Sequence, residues 1–365
     1  MIKIILNITN KCNSNCRYCH VSKKDKPHTM SADLLETAFK KIGAYLMKFP
    51  DEKIELIWHG GEPLTLNNGY LNEVCDIFIE NCGDMLDRIS QSIQTNITRM
   101  TQEHINLLRR LGIRQITTSY DPIPNIRGFG AAVDSAKYNT RFLEGLMNVE
   151  QAGFNWGIIY VVTRKSLDKP VEIFYLLTNL NLKGNIIFNP VFIDNDNAAA
   201  LAIEANEFAE FLGAILPGWW RNRYRFPEVE PFKSFEKCIQ QAAGRSDDRD
   251  TADNLDIYLI LLPGGDITER GWNRENKTIS HGHLDFASFS DIVNNSSREA
   301  SLERMKEVLG CHKCNVRDYC LGKVGNDPFT QNARYSDYQS WCRAKEYFIN
   351  QFFLPIIEDN NVIAK

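Results

Sequence analysis

The sequence has no apolar run long enough to span a bilayer, which argues against a membrane-spanning protein. It also lacks a strong net charge: the formal charge is −4, so a broad nucleic-acid footprint is not expected. No signal-peptide pattern precedes the first apolar run, and we therefore expect a cytoplasmic protein. The 365 residues, 43% hydrophobic and 24% charged, suffice for one large globular domain and a smaller one.

Cysteine is plentiful, with ten residues. Without an export signal, metal ligation or catalysis is a better explanation for them than disulfides. Cys12, Cys16 and Cys19 follow a predicted buried strand, and a loop there can wrap three thiolates around one inorganic cluster. A four-iron cluster takes four ligands, so one iron would stay open for a small molecule. The alternative is a zinc knuckle, but zinc usually takes four ligands with two-residue spacings, and His20 is poorly placed.

The spacing Cys-x3-Cys-x-aromatic-Cys, with Tyr18 as the aromatic residue, resembles the signature loop of the radical S-adenosylmethionine (radical SAM) enzymes. This resemblance implies a [4Fe-4S] cluster on the three cysteines, with SAM bound at the open iron. Reductive cleavage of SAM would then give a 5′-deoxyadenosyl radical that abstracts a hydrogen atom from the substrate.

Six apolar segments alternate with helical patterns over residues 1–215, which predicts an α/β fold with parallel strands. Ser31 and Thr101 are placed to cap two of the helices. Periodicity leaves an open doubly wound sheet and a curved barrel as alternatives, and the resemblance implies a partial (β/α)6 TIM-like barrel. The predicted strands are Ile2–Thr9, Lys53–Trp58, Ile89–Thr95, Arg114–Ser119, Trp156–Thr163 and Gly184–Asn189.

The candidate catalytic and ligand-binding residues fall at the carboxyl ends of these strands, where barrel-like folds place their active sites. Gly60-Gly61-Glu62 resembles the family motif that binds the amino end of SAM. The resemblance further implies that Ser119 and Arg141 bind the SAM carboxylate, although Arg141 could equally be a solvated helix residue. The remaining candidates are Asn96 for the ribose or substrate, Val162 for the adenine or simply for a buried strand, and Tyr120 and Asp121 for the substrate.

Residues 216–254 read as a connection whose tryptophans and arginines could grip a peptide or form a packed lid. A polar loop is predicted over 241–254, a hairpin over 255–270, and a final helix over 341–357. The hairpin and the helix flank Cys311, Cys314, Cys320 and Cys342. A zinc ribbon would explain these four cysteines, but their spacing resembles the outer auxiliary cluster of the SPASM extension of radical SAM enzymes.

Two cysteines of the full SPASM pattern are replaced here, by Val324 and within Arg270-Gly271-Trp272. The resemblance therefore implies a reduced, twitch-like domain over 255–365 with one auxiliary [4Fe-4S] cluster. Three cysteines are left over. Cys75 is most simply a core residue of the second helix, and Cys82 lies near the end of that helix. Cys238 is a candidate hydrogen-atom donor or a vestigial ligand.

The resemblance implies modification of a ribosomally made precursor peptide by cross-linking, epimerisation, oxidation or backbone excision. A separate small recognition protein and an external electron donor, flavodoxin or ferredoxin, would be partners. A dehydrogenase or epimerase of a sugar or aminoglycoside is the alternative enzyme. A zinc-binding adaptor on an α/β scaffold is the non-enzymatic alternative.

Overall fold

The computed structural model describes residues 2–19, 28–191, 193, 196–242, 257–269, 279–286, 288–294, 303, 306–320, 329 and 338–359. His20, Val324, the Arg270-Gly271-Trp272 segment and most of the polar loop predicted over 241–254 lie outside these residues. No helix within these ranges is both long and apolar enough to cross a bilayer.

The described strands form one ten-stranded sheet in the order β10-β9-β8-β1-β2-β3-β4-β5-β6-β7. Neighbouring strands from β1 to β7 pair in parallel, which confirms the predicted α/β class. The strands are β1 Ile2–Thr9, β2 Ile54–Gly60, β3 Ile89–Gln94, β4 Gln115–Ser119, β5 Asn155–Val162, β6 Ile186–Pro190, β7 Val229–Glu230, β8 Ile257–Leu261, β9 Asp266–Glu269 and β10 Ile279–His283.

Helices follow β1 to β6 as the sequence predicts. The Ser31 hydroxyl accepts a hydrogen bond from the backbone of Leu34, and Thr101 caps its helix in the same way. The helices are α1 Ala32–Lys48, α2 Asn68–Cys82, α3 Gln102–Arg110, α4 Ser135–Gln151, α5 Pro170–Thr178, α6 Asp196–Ala199, α7 Ala205–Asn222, α8 Phe232–Ala242, α9 Phe289–Val293, α10 Arg317–Cys320, α11 Tyr338–Phe348 and α12 Leu354–Asp359. A π-helical segment, Ile349–Phe353, joins the last two.

The predicted hairpin forms from β8 and β9, which pair antiparallel. Its position was not foreseen: β8 also pairs in parallel with β1, in register from Ile2 with Ile257 to Leu6 with Leu261. The strand that leads into the first cysteine loop therefore has a neighbour on both sides. Along it the inward-facing isoleucines and leucine alternate with half-buried residues, as a strand covered on one face requires.

The sequence predicts a connection after residue 215 whose tryptophans could grip a peptide. The burial of both tryptophans argues against that role. Helix α7 continues through the expected boundary to Asn222. Trp219 and Trp220 are 1% and 2% exposed and pack against Phe232 and Phe353. Both rings belong to the core, because burying rings of this size favours folding. Of the two predicted roles, a packed lid agrees better with this burial than peptide binding does.

Candidate active site and metal centres

The loop that carries Cys12, Cys16 and Cys19 is held on both sides by backbone hydrogen bonds. On one side, the amides of Gly61 and Glu62 donate to Thr9 and Lys11 at 2.7 and 2.8 Å. On the other side, the amides of Asn15 and Arg17 donate to Gly128 and Ile126 at 2.7 and 2.9 Å. Carboxyl ends of parallel strands thus meet around the three cysteines.

Gly60 and Gly61 are required by this close approach. Gly60 has φ of 139°, and a Cβ atom there would lie 2.2 Å from the Thr9 carbonyl oxygen. A Cβ atom on Gly61 would lie 2.3 Å from the Lys11 carbonyl oxygen. Only glycine lets the two backbones come this close. The structure therefore gives both residues a role in holding the cysteine loop, whereas their contact with SAM stays a prediction.

Glu62 is buried, with 1% of its surface exposed, and joins the ends of β2 and β3. Its Oε1 accepts hydrogen bonds from the Thr95 hydroxyl at 2.7 Å and the Leu64 amide at 3.0 Å. Its Oε2 accepts from the Asn96 amide at 2.6 Å. Burial raises the pKa of Glu62, while these three hydrogen bonds oppose that shift. The predicted contact with the SAM ammonium would add to these bonds.

Asn96 connects β3 to the cysteine loop. Its side-chain nitrogen donates to Asn13 Oδ1 at 2.8 Å and to Ser14 Oγ at 3.1 Å. Its oxygen accepts from the hydroxyl and the amide of Thr98. Every one of these bonds is within the protein, so the structure shows a role in ordering the loop. The predicted contact with ribose or substrate stays a prediction.

The three cysteines of the loop lie close enough to interact electrostatically. Desolvation raises the pKa of Cys12 to about 11, and the negative charges of Glu62, Cys19 and Cys16 add to the shift. A thiol of this kind ionises readily only beside positive charge, which a metal cluster supplies. Among the described residues, no three His, Cys, Asp or Glu side chains converge as ligands of a single metal ion.

Arg127 is a site residue that the sequence analysis missed. Its Nη1 donates to the Ser119 carbonyl oxygen at 2.8 Å, and its guanidinium lies 5.9 Å from the Tyr18 ring and 5.5 Å from the Tyr138 ring. Desolvation alone would lower the pKa of Arg127. The negative charges that Cys16, Tyr138, Tyr18 and Asp121 can carry hold this pKa well above its usual value. Nothing in the sequence separates this arginine from others in loops, so only the fold reveals the fixed cation beside the cysteines.

Asp121, at the end of β4, is 3% exposed. Its Oδ1 accepts from the Ile123 amide at 3.0 Å. Burial raises the pKa of Asp121 to about 6, against the opposing effects of that hydrogen bond, Arg127 and Lys165. Tyr120 beside it stacks on Phe142 of α4, with ring centroids 4.6 Å apart. Asp121 is thus a buried carboxyl group with one oxygen bonded to the backbone, whereas Tyr120 packs against a helix.

Several buried polar atoms near these strand ends have no hydrogen-bond partner among the described residues. Buried polar atoms of this kind need a partner. A polar ligand at the strand ends, with carboxylate, ammonium and hydroxyl groups as in SAM, would provide one, so the residues fit such a ligand. The atoms are Asn7 Oδ1, Thr118 Oγ1, Asp121 Oδ2, Arg127 Nε and Tyr138 OH.

Two predicted SAM contacts have a less distinctive setting. Arg141 lies on α4 with 57% of its side chain exposed and pairs with Glu144 at 2.8 Å. Val162 is fully buried at the end of β5, opposite Pro190. Both assignments stay predictions, and the solvated helix residue and the buried strand residue remain sufficient explanations for them.

The second set of cysteines lines one cavity of about 270 Å³, to which Cys311, Cys314, Cys320 and Cys342 all contribute. Cys311 and Cys314 flank a short turn, Cys320 ends α10, and Cys342 lies on α11. Desolvation raises the pKa of Cys342 to about 12, and the other three thiols add to the shift. Four thiols around one cavity are the ligand set that a four-iron cluster takes.

The three other cysteines lie in helices. Cys75 and Cys82 are buried in α2, and the Cys82 thiol donates to the Phe39 carbonyl oxygen at 3.4 Å, so both pack in the core. Cys238 is 2% exposed on α8, which packs against α10, the helix that ends at Cys320. Its predicted part in catalysis or ligation stays a prediction.

A comparison with family models finds a match in the first half of the chain. Residues 6–177 match the model of the radical SAM superfamily, and this range contains the three-cysteine loop, Glu62 and Asp121. These residues are therefore similar in sequence to a radical SAM domain.

Two curated relatives are similar in sequence to this chain. An uncharacterised protein of Synechocystis is 27% identical over 385 residues, 99% of this chain and 93% of that protein. The radical SAM cyclopropyl synthase TigE of Paramaledivibacter caminithermalis is 26% identical over 242 residues, 61% of this chain and 50% of TigE.

Solved structures share the fold of residues 6–177 and of the chain beyond them. The anSMEcpe protein with bound AdoMet superposes with a TM-score of 0.76 at 15% identity, over 98% of both chains. SuiB of Streptococcus suis, bound to its precursor peptide SuiA, superposes with a TM-score of 0.53 at 11% identity, over 82% of this chain and 66% of SuiB. These likenesses confirm a fold that matches partial-barrel radical SAM enzymes.

Proposed function

We propose that this protein is a radical SAM enzyme that modifies a ribosomally made peptide. The observation that carries the proposal is the three-cysteine loop of the radical SAM domain, clamped between Gly61-Glu62 and Ile126-Gly128 at the carboxyl ends of the strands. Cys12, Cys16 and Cys19 would hold a [4Fe-4S] cluster. That cluster, when bound, supplies the electron that cleaves SAM and so generates the radical that abstracts hydrogen.

The chain's own residues would bind and orient SAM. Glu62 would accept from the SAM ammonium, because its buried carboxylate already gathers donors from two strand ends. We propose Arg127, together with Ser119, for the SAM carboxylate, since Arg127 is a fixed cation whose Nε lacks a partner among the described residues. Arg141 would need to leave Glu144 to take this role.

Other side chains would line the path from SAM to the substrate. Asp121, with a pKa near 6, could accept a proton from a substrate that is being oxidised. Tyr18 would stack against the guanidinium that holds the SAM carboxylate. Asn96 and Val162 would complete the SAM site. Cys238 remains a candidate hydrogen-atom donor. Because it is buried on α8, a neighbouring helix would have to move before a substrate could reach its thiol.

A peptide substrate is supported by the structural neighbours. The anSMEcpe structures include one with AdoMet and a bound peptide, and SuiB is bound to a precursor peptide. These statements concern those proteins, and we extend the substrate class to this chain. The proposal includes one auxiliary [4Fe-4S] cluster on the C-terminal cysteines, a flavodoxin or ferredoxin as electron donor, a cytoplasmic location and a small recognition protein for the precursor.

The test uses a candidate precursor peptide encoded beside this gene, deuterated at one residue at a time. The reconstituted protein is incubated with SAM, a reductant and each peptide, and 5′-deoxyadenosine is analysed by mass spectrometry. Deuterium should enter 5′-deoxyadenosine from one residue only. If no such peptide transfers deuterium while a deuterated sugar or aminoglycoside does, the peptide assignment is wrong and the small-molecule alternative holds.

A further inference from the structure

Lys345 is a buried cation at the C-terminal cysteine cavity. It is 3% exposed, lies on α11 three residues after Cys342, and lines the cavity with all four cysteines. Residues three apart lie on the same face of a helix, so the Lys345 side chain and the Cys342 thiol share one side of α11. Its Nζ lies 5.9 Å from the centre of the Phe235 ring, so apolar contact accompanies the burial.

Lys345 lines the same cavity as the four thiols, so its charge would act on any group that the thiols hold there. A four-iron cluster on four thiolates would be an anion, and a buried cation on the same cavity would stabilise it electrostatically.

The other cations on this cavity differ from Lys345. Lys313, Arg317 and Arg343 line it too, but all three are exposed, where water and salt screen their charge. Lys345 acts through low-dielectric surroundings, in which a charge has a much stronger effect. Lys313, which is exposed, thus provides a matched control for the buried Lys345.

We propose that Lys345 is a positioning residue for the auxiliary cluster. The Lys345 ammonium raises the reduction potential of the cluster and helps to retain the cluster in the protein. One-electron reduction makes the cluster more negative, so a fixed neighbouring cation stabilises the reduced form more than the oxidised form. The proposal rests on the proposed auxiliary cluster and goes beyond it by assigning the residue that tunes it.

The experiment uses the full chain with Cys12, Cys16 and Cys19 replaced by Ala, so that the auxiliary cluster alone gives an electron paramagnetic resonance signal. Lys345→Met, Lys345→Arg and Lys313→Met are made in this background, and each protein is titrated anaerobically. In Lys345→Met the ratio of reduced to oxidised cluster at a fixed potential should fall about tenfold, which corresponds to about 59 mV for one electron. Lys345→Arg and Lys313→Met should stay within about twofold of the parent protein.

Iron and sulfide contents separate the possible failures. If the parent protein lacks iron and sulfide, the auxiliary cluster is absent and the role of Lys345 is overturned with it. If the cluster is present and Lys345→Met titrates like the parent, the auxiliary cluster stands but Lys345 does not tune it. Loss of the cluster in Lys345→Met with retention in Lys345→Arg supports the proposal, whereas loss in both variants overturns it.

Discussion

At the scale of single residues, Glu62 has a structural function, and a second function in binding SAM is proposed for it. Its carboxylate accepts three hydrogen bonds from Leu64, Thr95 and Asn96 in a buried place. Such bonds to a charged group are stronger than ordinary ones, so the strand ends depend on this residue whether or not SAM is present. The same carboxylate is the one proposed to receive the SAM ammonium.

We expect Glu62→Gln to lower both stability and SAM affinity. The amide nitrogen of glutamine would face a hydrogen-bond donor, and the free energy of unfolding should fall by about 1–3 kcal/mol. SAM affinity, measured by calorimetry, should fall by about one to two decades. Thr95→Val is the control, because it removes one of the three bonds and leaves the carboxylate. Unchanged SAM affinity in Glu62→Gln would limit Glu62 to the structural role.

The raised pKa of Asp121 implies that the stability of the folded chain depends on pH. Its pKa is raised to about 6 in the folded chain from 3.8, so its protonated form favours folding and this contribution is lost as pH rises through about 6. Relative to Asp121→Asn, the wild-type protein should lose about 1–1.5 kcal/mol of unfolding free energy between pH 5 and 7.5. Asparagine keeps the acceptor for the Ile123 amide. A difference that is constant with pH in urea unfolding would contradict the assignment.

At the scale of elements, the cysteine loop depends on its neighbours for its shape. It has no regular secondary structure of its own, and the loops after β2 and β4 hold it by backbone hydrogen bonds. The ligand geometry is therefore built by the meeting of three strand ends rather than by the cysteine spacing alone.

Gly61→Ala tests this dependence. The added Cβ would meet the backbone at Lys11 and push the cysteine loop away from the loop after β2. After anaerobic reconstitution we expect loss of about half of the bound iron, from the N-terminal cluster, with the C-terminal one retained. Gly69→Ala is the control, because the nearest atom to its Cβ is the Asn67 side chain at 3.2 Å. Full iron content in Gly61→Ala would show that the loop tolerates the displacement.

At the scale of the whole molecule, the chain should hold two four-iron clusters. Seven of the ten cysteines are assigned to them, three in the N-terminal loop and four around the C-terminal cavity. Reconstitution should give about eight irons per chain, and replacing Cys12, Cys16 and Cys19 by Ala should leave about four and stop SAM cleavage. Twelve irons per chain, or four irons with zinc, would refute the assignment.

The sequence predicted the parts of this molecule that are fixed locally. Strand and helix order followed from hydrophobic periodicity, and helix starts followed from capping residues such as Ser31 and Thr101, whose bonds span three residues. The cysteines were found because ligand spacing is local as well.

The remaining features depend on contacts between distant residues. The pairing of β8 with β1 joins segments about 250 residues apart, and no local pattern specifies such a partner. The position of Arg127 beside Cys16 depends on the path of the loop after β4. Trp219 and Trp220 resembled a binding surface in sequence because aromatic residues serve both in interfaces and in cores, and only packing decides between the two.

The parallel pairing of β8 with β1 also sets an order of events during synthesis. β1 is made before β8, and the strand that covers its second edge begins only at Ile257. At about 5–20 residues per second, that edge waits on the order of 10–50 s for its partner. For this interval the nascent chain carries a strand with one unpaired edge directly before its three N-terminal cysteines, and chaperone binding at that edge would protect it.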